Sequence, residues 1–403
     1  DILFECENMH GLTVGCEICE DLWVADSPGC SHAFAGATVI ANLSASNETI
    51  AKDEYRELLV KSASARLICG YIYTSAGEGE STQDLVFGGH NLIGENGIIL
   101  NQAKRFGCET VYGDLDVHRI MADRRRMGTF GQEPGKKYVR VPFCLDVAKT
   151  RLERTFDCMP FVPGEEDRRN KRCEEVLSIQ AYGLKKRYEH TGLTTAVLGL
   201  SGGLDSTLAL LVTVRCFDML GLSRSGIIAV TMPCFGTTDR TYGNACRLAR
   251  GLGVSLEEVD IKNAVSVHFR DIGQDAGNHD AAYENAQARE RTQVLMDIAN
   301  RRAGLVIGTG DMSELALGWT TYNGDQMSMY GVNAGVPKTL VRHLVKYYGD
   351  TCGDREIAGV LADVLDTPVS PELLPPEDGA ISQKTEDLVG PYELHDFFLY
   401  YTL

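Results

Sequence analysis

The chain has 403 residues, is 44% hydrophobic and carries a formal net charge of -17, which leaves room for two or three domains, each with its own core. So acidic a composition argues against a nucleic-acid or anionic-membrane partner, because both are polyanions that repel it. Its apolar runs fall well short of the ~18 residues of a membrane span, and no basic segment followed by an apolar one opens the chain, so a cytoplasmic protein is expected.

The first predicted elements are strands at 11–16 and 37–43 and an amphipathic helix at 53–65, a layered α/β pattern. From Phe87-Gly88-Gly89 to Leu100, turn residues alternate with apolar ones as in a hairpin, and a charged helix follows at 115–127. Residues 128–172 are rich in Pro, Gly and charge with little periodicity, and read as a linker between a domain at 1–127 and one at 173–403. Beyond 173, strand and helix alternate regularly. A helix at 173–190 precedes a strand at 195–200, a helix from 206, a strand at 227–230 and a helix from 239. A strand at 254–261, a long helix at 283–303 and a strand at 305–308 continue the series. Apolar strands separated by helices predict a doubly wound parallel sheet with ligands at the carboxyl ends of its strands. The chain starts at Asp1 just ahead of a strand pattern and stops within the apolar run Phe397-Phe398-Leu399-Tyr400. Further sequence is expected on both sides. The thirteen cysteines are odd in number and often lie in apolar runs, such as Leu67-Ile68-Cys69 and Val14-Gly15-Cys16, which fits buried free thiols in a reducing compartment.

Ser201-Gly202-Gly203-Leu204-Asp205-Ser206 sits on a predicted strand-to-helix junction. Glycines let the backbone approach an oxyanion, and hydroxyls and free amides at a helix start donate to it, so a pyrophosphate fits. Asp205 would repel phosphate unless a divalent cation lay between them, which implies magnesium. The segment is neither a Walker loop, since no Gly-Lys-Ser/Thr follows, nor a Gly-x-Gly-x-x-Gly fingerprint. It also satisfies the plainer description of a Gly-rich turn with Asp205 and Ser206 capping a helix.

This hexapeptide resembles the loop of the N-type ATP pyrophosphatases, which adenylate a carbonyl oxygen for displacement by a nitrogen or sulfur nucleophile. Several longer segments resemble the glutamine-dependent NAD synthetase family: Thr231-Met-Pro-Cys-Phe-Gly-Thr-Thr-Asp239, Tyr283-Glu-Asn-Ala-Gln-Ala-Arg289, Gly308-Thr-Gly-Asp-Met-Ser-Glu314, Trp319-Thr-Thr-Tyr322, Val336-Pro-Lys338 and Pro391-Tyr-Glu-Leu-His-Asp396. The resemblance covers nearly the whole chain. It implies ATP contacts at Gly199, Leu200, Ser201, Gly202, Gly203, Leu204, Asp205, Ser206 and Thr309. It implies deamido-NAD contacts at Asn285, Glu314, Trp319, Thr320, Thr321, Tyr322, Asp325 and Lys338, with magnesium shared by Asp205 and Glu314. Read singly, Glu314 is also a helix-start charge, Trp319 a core tryptophan and Lys338 a surface charge after proline.

Gly15-Cys16-Glu17-Ile18-Cys19-Glu20-Asp21-Leu22-Trp23 resembles the nucleophile segment of the nitrilase superfamily, in which a cysteine thiolate attacks an amide. By position the nucleophile is Cys19, with Glu17 the supporting carboxylate and Cys16 a structural thiol. The Cys-x-x-Cys spacing also admits zinc or redox chemistry, but no second pair is present for a zinc site. Glutamine-binding positions of the family match Ser46 and Lys52, the latter where an arginine is expected. Lysine keeps the charge and loses the bidentate fork. The general-base glutamate and the lysine of nitrilase chemistry are expected on the N-terminal side of Asp1, so these 403 residues alone are expected to hydrolyse little or no glutamine.

The expected fold is therefore α/β: the C-terminal part of a nitrilase-like α-β-β-α sandwich, then an ATP pyrophosphatase domain. The partners implied are ATP with Mg2+, deamido-NAD and glutamine or ammonia, in a homo-oligomer. A different amidotransferase of the same ATP class, such as a GMP synthetase-like enzyme, and a catalytically silent fragment are the rival readings.

Overall fold

The computed structural model describes residues 1–131, 137–236, 238–324, 326–368, 373–374 and 385–402. The chain divides into two compact units, Asp1–Phe156 and Asp157–Leu403. No helix among the described residues is long and apolar enough to cross a membrane.

The first unit runs β1 (Ile2–Cys6), β2 (Thr13–Ile18), α1 (Pro28–Phe34), β3 (Val39–Ser44), α2 (Lys52–Leu67), β4 (Gly70–Ser75), β5 (Leu92–Glu95), β6 (Ile98–Gln102), α3 (Val117–Arg126) and β7 (Val139–Phe143). Its seven strands lie in the order β6-β5-β4-β3-β2-β1-β7. Strands β2, β3 and β4 are parallel, and β5 and β6 form the expected hairpin. The core is made by Leu3, Ile40, Val60, Leu67, Tyr71, Tyr73 and Leu92, each worth about 1.5–3 kcal/mol on full burial. Part of the stretch read as a linker, Val139–Phe143, is an edge strand paired in parallel with β1. Its Val-Arg-Val-Pro-Phe sequence is short and half-exposed, and an edge tolerates the proline.

Cys16 departs from its expected burial. In β2 the inward positions are Thr13, Gly15 and Glu17, so the period of two turns Cys16 outward, where it is exposed. Cys108, Cys144 and Cys158 are exposed as well, so the cysteines are free but only in part buried; among the buried ones, desolvation pushes the Cys69 and Cys216 thiols up to about 12.

The second unit runs α4 (Glu166–Thr191), β8 (Thr195–Gly199), α5 (Leu204–Leu220), β9 (Ile227–Thr231), α6 (Asp239–Leu252), β10 (Ser255–Glu258), α7 (Lys262–Ile272), α8 (Ala281–Arg302), β11 (Gly304–Gly308), α9 (Met312–Leu317), β12 (Tyr330–Gly331), α10 (Lys338–Thr351), α11 (Arg355–Leu365), α12 (Thr385–Val389) and α13 (Tyr392–Thr402). Helix α4 starts seven residues earlier than expected, because Glu165 and the charged residues after it extend the helix whose buried face is Cys173, Leu177, Ala181, Leu184 and Tyr188. The sheet is wholly parallel, in the order β10-β9-β8-β11-β12. Chain order reverses between β8 and β11, which opens a crevice at their carboxyl ends. Helix α5 is buried on nearly every side, from Leu204 through Phe217, as its unbroken apolar sequence requires.

Candidate active site

The loop after β8 turns on Gly202, whose φ is +85°. A Cβ there would lie 2.1 Å from the carbonyl oxygen of Thr241, so both backbone angle and space demand glycine. The Gly203 amide donates to Ser201 Oγ at 3.2 Å, and Ser206 Oγ lies 3.1 Å from Ser201 Oγ. Gly203 is the N-cap of α5 and supplies no side-chain cap, which leaves donors of the first turn available to an anion.

The next strand out, β11, delivers Asp311 and Glu314. Asp311 caps α9 by accepting the Glu314 amide at 2.9 Å, and Glu314 reaches back to the Asp311 amide in a capping box. Lys338 opens α10. Its Nζ lies 2.7 Å from Asp205 Oδ2, 2.6 Å from Asp311 Oδ2 and 2.9 Å from Glu314 Oε1. Lys338, expected as a surface charge when read singly, is 2% exposed and Asp311 0%.

One ammonium among three carboxylates leaves an excess of negative charge. Burial, reinforced by the charge of Asp205, pushes the Asp311 carboxyl up to about 8; Lys338 pulls the other way without prevailing, since two further carboxylates share it. Glu314 is raised by burial and then by Asp205. Burial would lower the Lys338 ammonium, but Asp205, Glu314 and Asp311 together hold it well above its ordinary value. Oxygens of Asp205, Asp311 and Glu314 lie within 4.8 Å of one another, and buried Asp205 Oδ1 has no hydrogen-bond partner. An all-oxygen, net-negative donor set of this kind suits a hard divalent cation.

Two members of this assembly were not anticipated. Asp311 could have been noticed through its Asp-x-x-Glu spacing, which marks a helix start, though that spacing carries no sign of burial. Asn333 is 0% exposed and donates to the carbonyls of Asp205, at 2.9 Å, and Thr309, at 3.0 Å. It ties the loop of β8 to that of β11.

A cleft of about 460 Å³ opens over the loop. Gly199, Leu200, Ser201, Gly203, Leu204, Asp205, Ser206 and Thr309 line it, as do Asn285, Glu314, Trp319, Thr320 and Thr321. Gly202 shapes the turn behind them. Thr321 Oγ1 donates to Asn285 Oδ1 at 2.8 Å, and Trp319 is half-buried at the wall rather than in the core. Tyr322 is placed differently: its side chain is 82% exposed, and its carbonyl accepts from Arg289 Nε at 3.1 Å. Asp325 lies outside the described residues.

In the first unit, Cys19 follows β2 on a tight turn with φ +47°, a left-handed conformation that a non-glycine residue adopts at a cost of about 1 kcal/mol or more. The thiol is half-buried. Glu17 is 1% exposed; its carboxylate accepts from the Tyr71 hydroxyl and, at 2.8 Å, from the Gly29 amide. Lys52 Nζ donates to Asn47 Oδ1 at 2.8 Å and lies 5.4 Å from the centre of the Trp23 ring. Burial, then the charge of Arg56, lowers its pKa. The guanidinium that reaches Ser46, at 3.5 Å, belongs to fully buried Arg56, which also meets Glu48 at 2.9 Å and His90 Nδ1 at 3.0 Å.

An arginine can only donate, so that His90 nitrogen accepts and carries no proton. Burial and the Arg56 charge both depress the His90 pKa below 6.5. The unfolded chain then binds a proton that the folded one refuses, and stability falls as pH drops below that value. Urea denaturation of the first unit at pH 7 and pH 5.5 is expected to give the lower stability at pH 5.5, with the difference reduced in His90→Asn; equal slopes in the two proteins would contradict it.

Fold and site together define a doubly wound α/β protein with an anion-receiving loop and a buried acid–lysine cluster at its switch point. The chain belongs to the NAD synthase family, whose sequence model matches residues 176–401. The glutamine-dependent NAD(+) synthetase of Mycobacterium leprae is 43% identical over 419 residues, covering 100% of this chain and 62% of that protein. That of Aquifex aeolicus is 28% identical over 401 residues, covering 97% and 65%. The chain thus spans less than two thirds of the length of these relatives. The solved glutamine-dependent NAD+ synthetase from Acinetobacter baumannii, in complex with ADP, is 24% identical with a TM-score of 0.45, over 89% of this chain and 60% of that one.

Proposed function

We propose that the chain is the larger part of a cytoplasmic, homo-oligomeric enzyme that amidates deamido-NAD to NAD at the expense of ATP, with ammonia released from glutamine at Cys19. The observation that carries the reading is the Lys338 cluster beneath the Ser201–Ser206 loop, at the one crevice where a doubly wound sheet receives ligands. ATP would occupy the loop residues and Thr309, and deamido-NAD would lie along Asn285, Glu314 and the 319–321 segment. The deamido-NAD carboxylate attacks the α-phosphorus and expels pyrophosphate; ammonia then attacks the acyl adenylate, giving NAD and AMP. Loop amides and Lys338 stabilise the charge that builds on phosphorus. Asp205, Glu314 and Asp311 would hold magnesium, which when bound neutralises phosphate charge facing the carboxylates. Cys19 on its strained turn would form the thioester with glutamine, held by Ser46 and the cations beside it.

NAD formation from deamido-NAD, ATP and magnesium, with ammonium and glutamine in parallel, tests this. Activity with ammonium, lost in Asp205→Ala, is the expected result. No NAD with either donor, despite ATP binding, would instead point to another acceptor.

A further inference from the structure

One buried carboxylate lies outside the cleft yet touches both elements that carry the charge cluster. Asp396, on α13, is 1% exposed. Its Oδ1 accepts from the Ser313 hydroxyl; its Oδ2 accepts from the Thr339 amide at 2.9 Å and from Thr339 Oγ1 at 2.6 Å. Ser313 Oγ in turn accepts the Lys338 amide at 2.9 Å. Each of these partners adjoins a cluster residue: Ser313 directly precedes Glu314, and Thr339 directly follows Lys338.

The chemistry of the α10 start explains why something must be there. Pro337 is the N-cap and offers no side-chain acceptor, so the first amides of the helix would be orphaned in a buried place. Ser313 and Asp396 supply the missing acceptors, and a carboxylate is favoured at the positive end of a helix. Four residues earlier on α13, Tyr392 turns to the same side and sets its ring 5.3 Å from Lys338 Nζ. Helix α13 therefore meets the start of α10 at the Thr339 amide and at the Lys338 ammonium.

We propose that Asp396 is a positioning residue, fixing α9 against α10 so that Glu314 and Asp311 face Lys338 in the geometry the reaction uses. It touches no substrate and works through Ser313 and Thr339. The catalytic part of this inference rests on the function proposed above; the positioning part rests only on the hydrogen bonds. Without the carboxylate, the two helix starts lose their common acceptor, and displacement on the order of 1 Å costs roughly 100-fold in rate at a preorganised site.

The test compares Asp396→Asn with Phe398→Ser, a change on the exposed face of the same helix, where Phe398 is 59% exposed. In Asp396→Asn, kcat with ammonium is expected to fall roughly 10- to 100-fold, while KM for ATP and deamido-NAD moves about twofold or less. Phe398→Ser should keep both. Losses from Ser313→Ala and Asp396→Asn should fall short of additive, because the two act on one linkage. Hydrogen exchange supplies a readout that needs no activity: amides at 313–314 and 338–340 should exchange faster in Asp396→Asn at an unchanged melting temperature. Unaltered exchange there, or kcat retained by Asp396→Asn, overturns the proposal. Should the unsubstituted chain make no NAD, the function fails on its own and the exchange result still decides the role of Asp396. If Asp396→Asn does not fold, Ser313→Ala, which keeps the carboxylate, carries the same exchange test.

Discussion

Lys338→Met is expected to destabilise the second unit by about 3–5 kcal/mol, because it removes the one cation that, among the described residues, contacts all three carboxylates, and leaves buried Asp311 beside Asp205 and Glu314 with no counter-charge. Methionine matches the stem of lysine in length and shape, so the change deletes charge and little else. The expected signature is a lower urea midpoint with an unchanged slope. Magnesium should restore more stability to this variant than to the unsubstituted chain, since a divalent cation would replace the lost charge. The proposed NAD formation should fall on the order of 100- to 1,000-fold, as for loss of one preorganised charge at a transition state. A Lys338→Met protein as stable as its parent would mean that the carboxylates are protonated or open to solvent, and the cluster would lose its meaning.

Gly202→Ala should be nearly as damaging, for steric reasons alone. A methyl group at that position meets the Thr241 carbonyl at 2.1 Å, and Thr241 is itself anchored in the first turn of α6, with its amide on Thr238 Oγ1 at 3.4 Å. Neither backbone can yield without moving a helix start, and alanine is disfavoured at φ +85° in any case. Overpacking and left-handed strain together amount to roughly 2–4 kcal/mol. Thermal denaturation should register a fall of about 5–15 °C, and the proposed ATP binding should weaken with the loop. Gly203→Ala is the contrast: its nearest neighbour, Ser201 Oγ, stands at 3.4 Å, an ordinary contact, so a folded protein is expected.

The alternation of strands and helices after residue 195 was legible because the inner parallel strands β8, β9 and β11 are buried on both faces and read as apolar runs. The Ser201–Ser206 loop was legible because glycine, hydroxyl and acid fall on a strand-to-helix junction. Lys338 was only half legible: its segment could be matched, but no local property distinguishes a lysine that starts a buried helix from one that starts an exposed helix. Asp311 declared itself as a cap and not as a buried acid. Asn333 and Asp396 act across the fold, reaching Asp205 and Ser313 over 128 and 83 positions, and no periodicity spans such distances. Tyr322 shares a motif with Trp319 yet faces solvent, since the turn beyond α9 carries it past the wall of the cleft. In β2 the alternation that buries Glu17 also exposes Cys16, although the surrounding apolar residues suggested otherwise.

The separation of the cluster residues along the chain has a kinetic consequence. Asp205 and Lys338 stand 133 positions apart, and the strands that position them, β8, β11 and β12, pair in parallel across long crossovers. Closing such loops is slow, because their entropy is lost before distant contacts reward it. An unfinished sheet would hold the acids apart, each still hydrated and without its lysine. Recovery of the proposed NAD-forming activity during refolding should therefore lag behind the return of helical signal, so that the site reports completion of the fold rather than its onset.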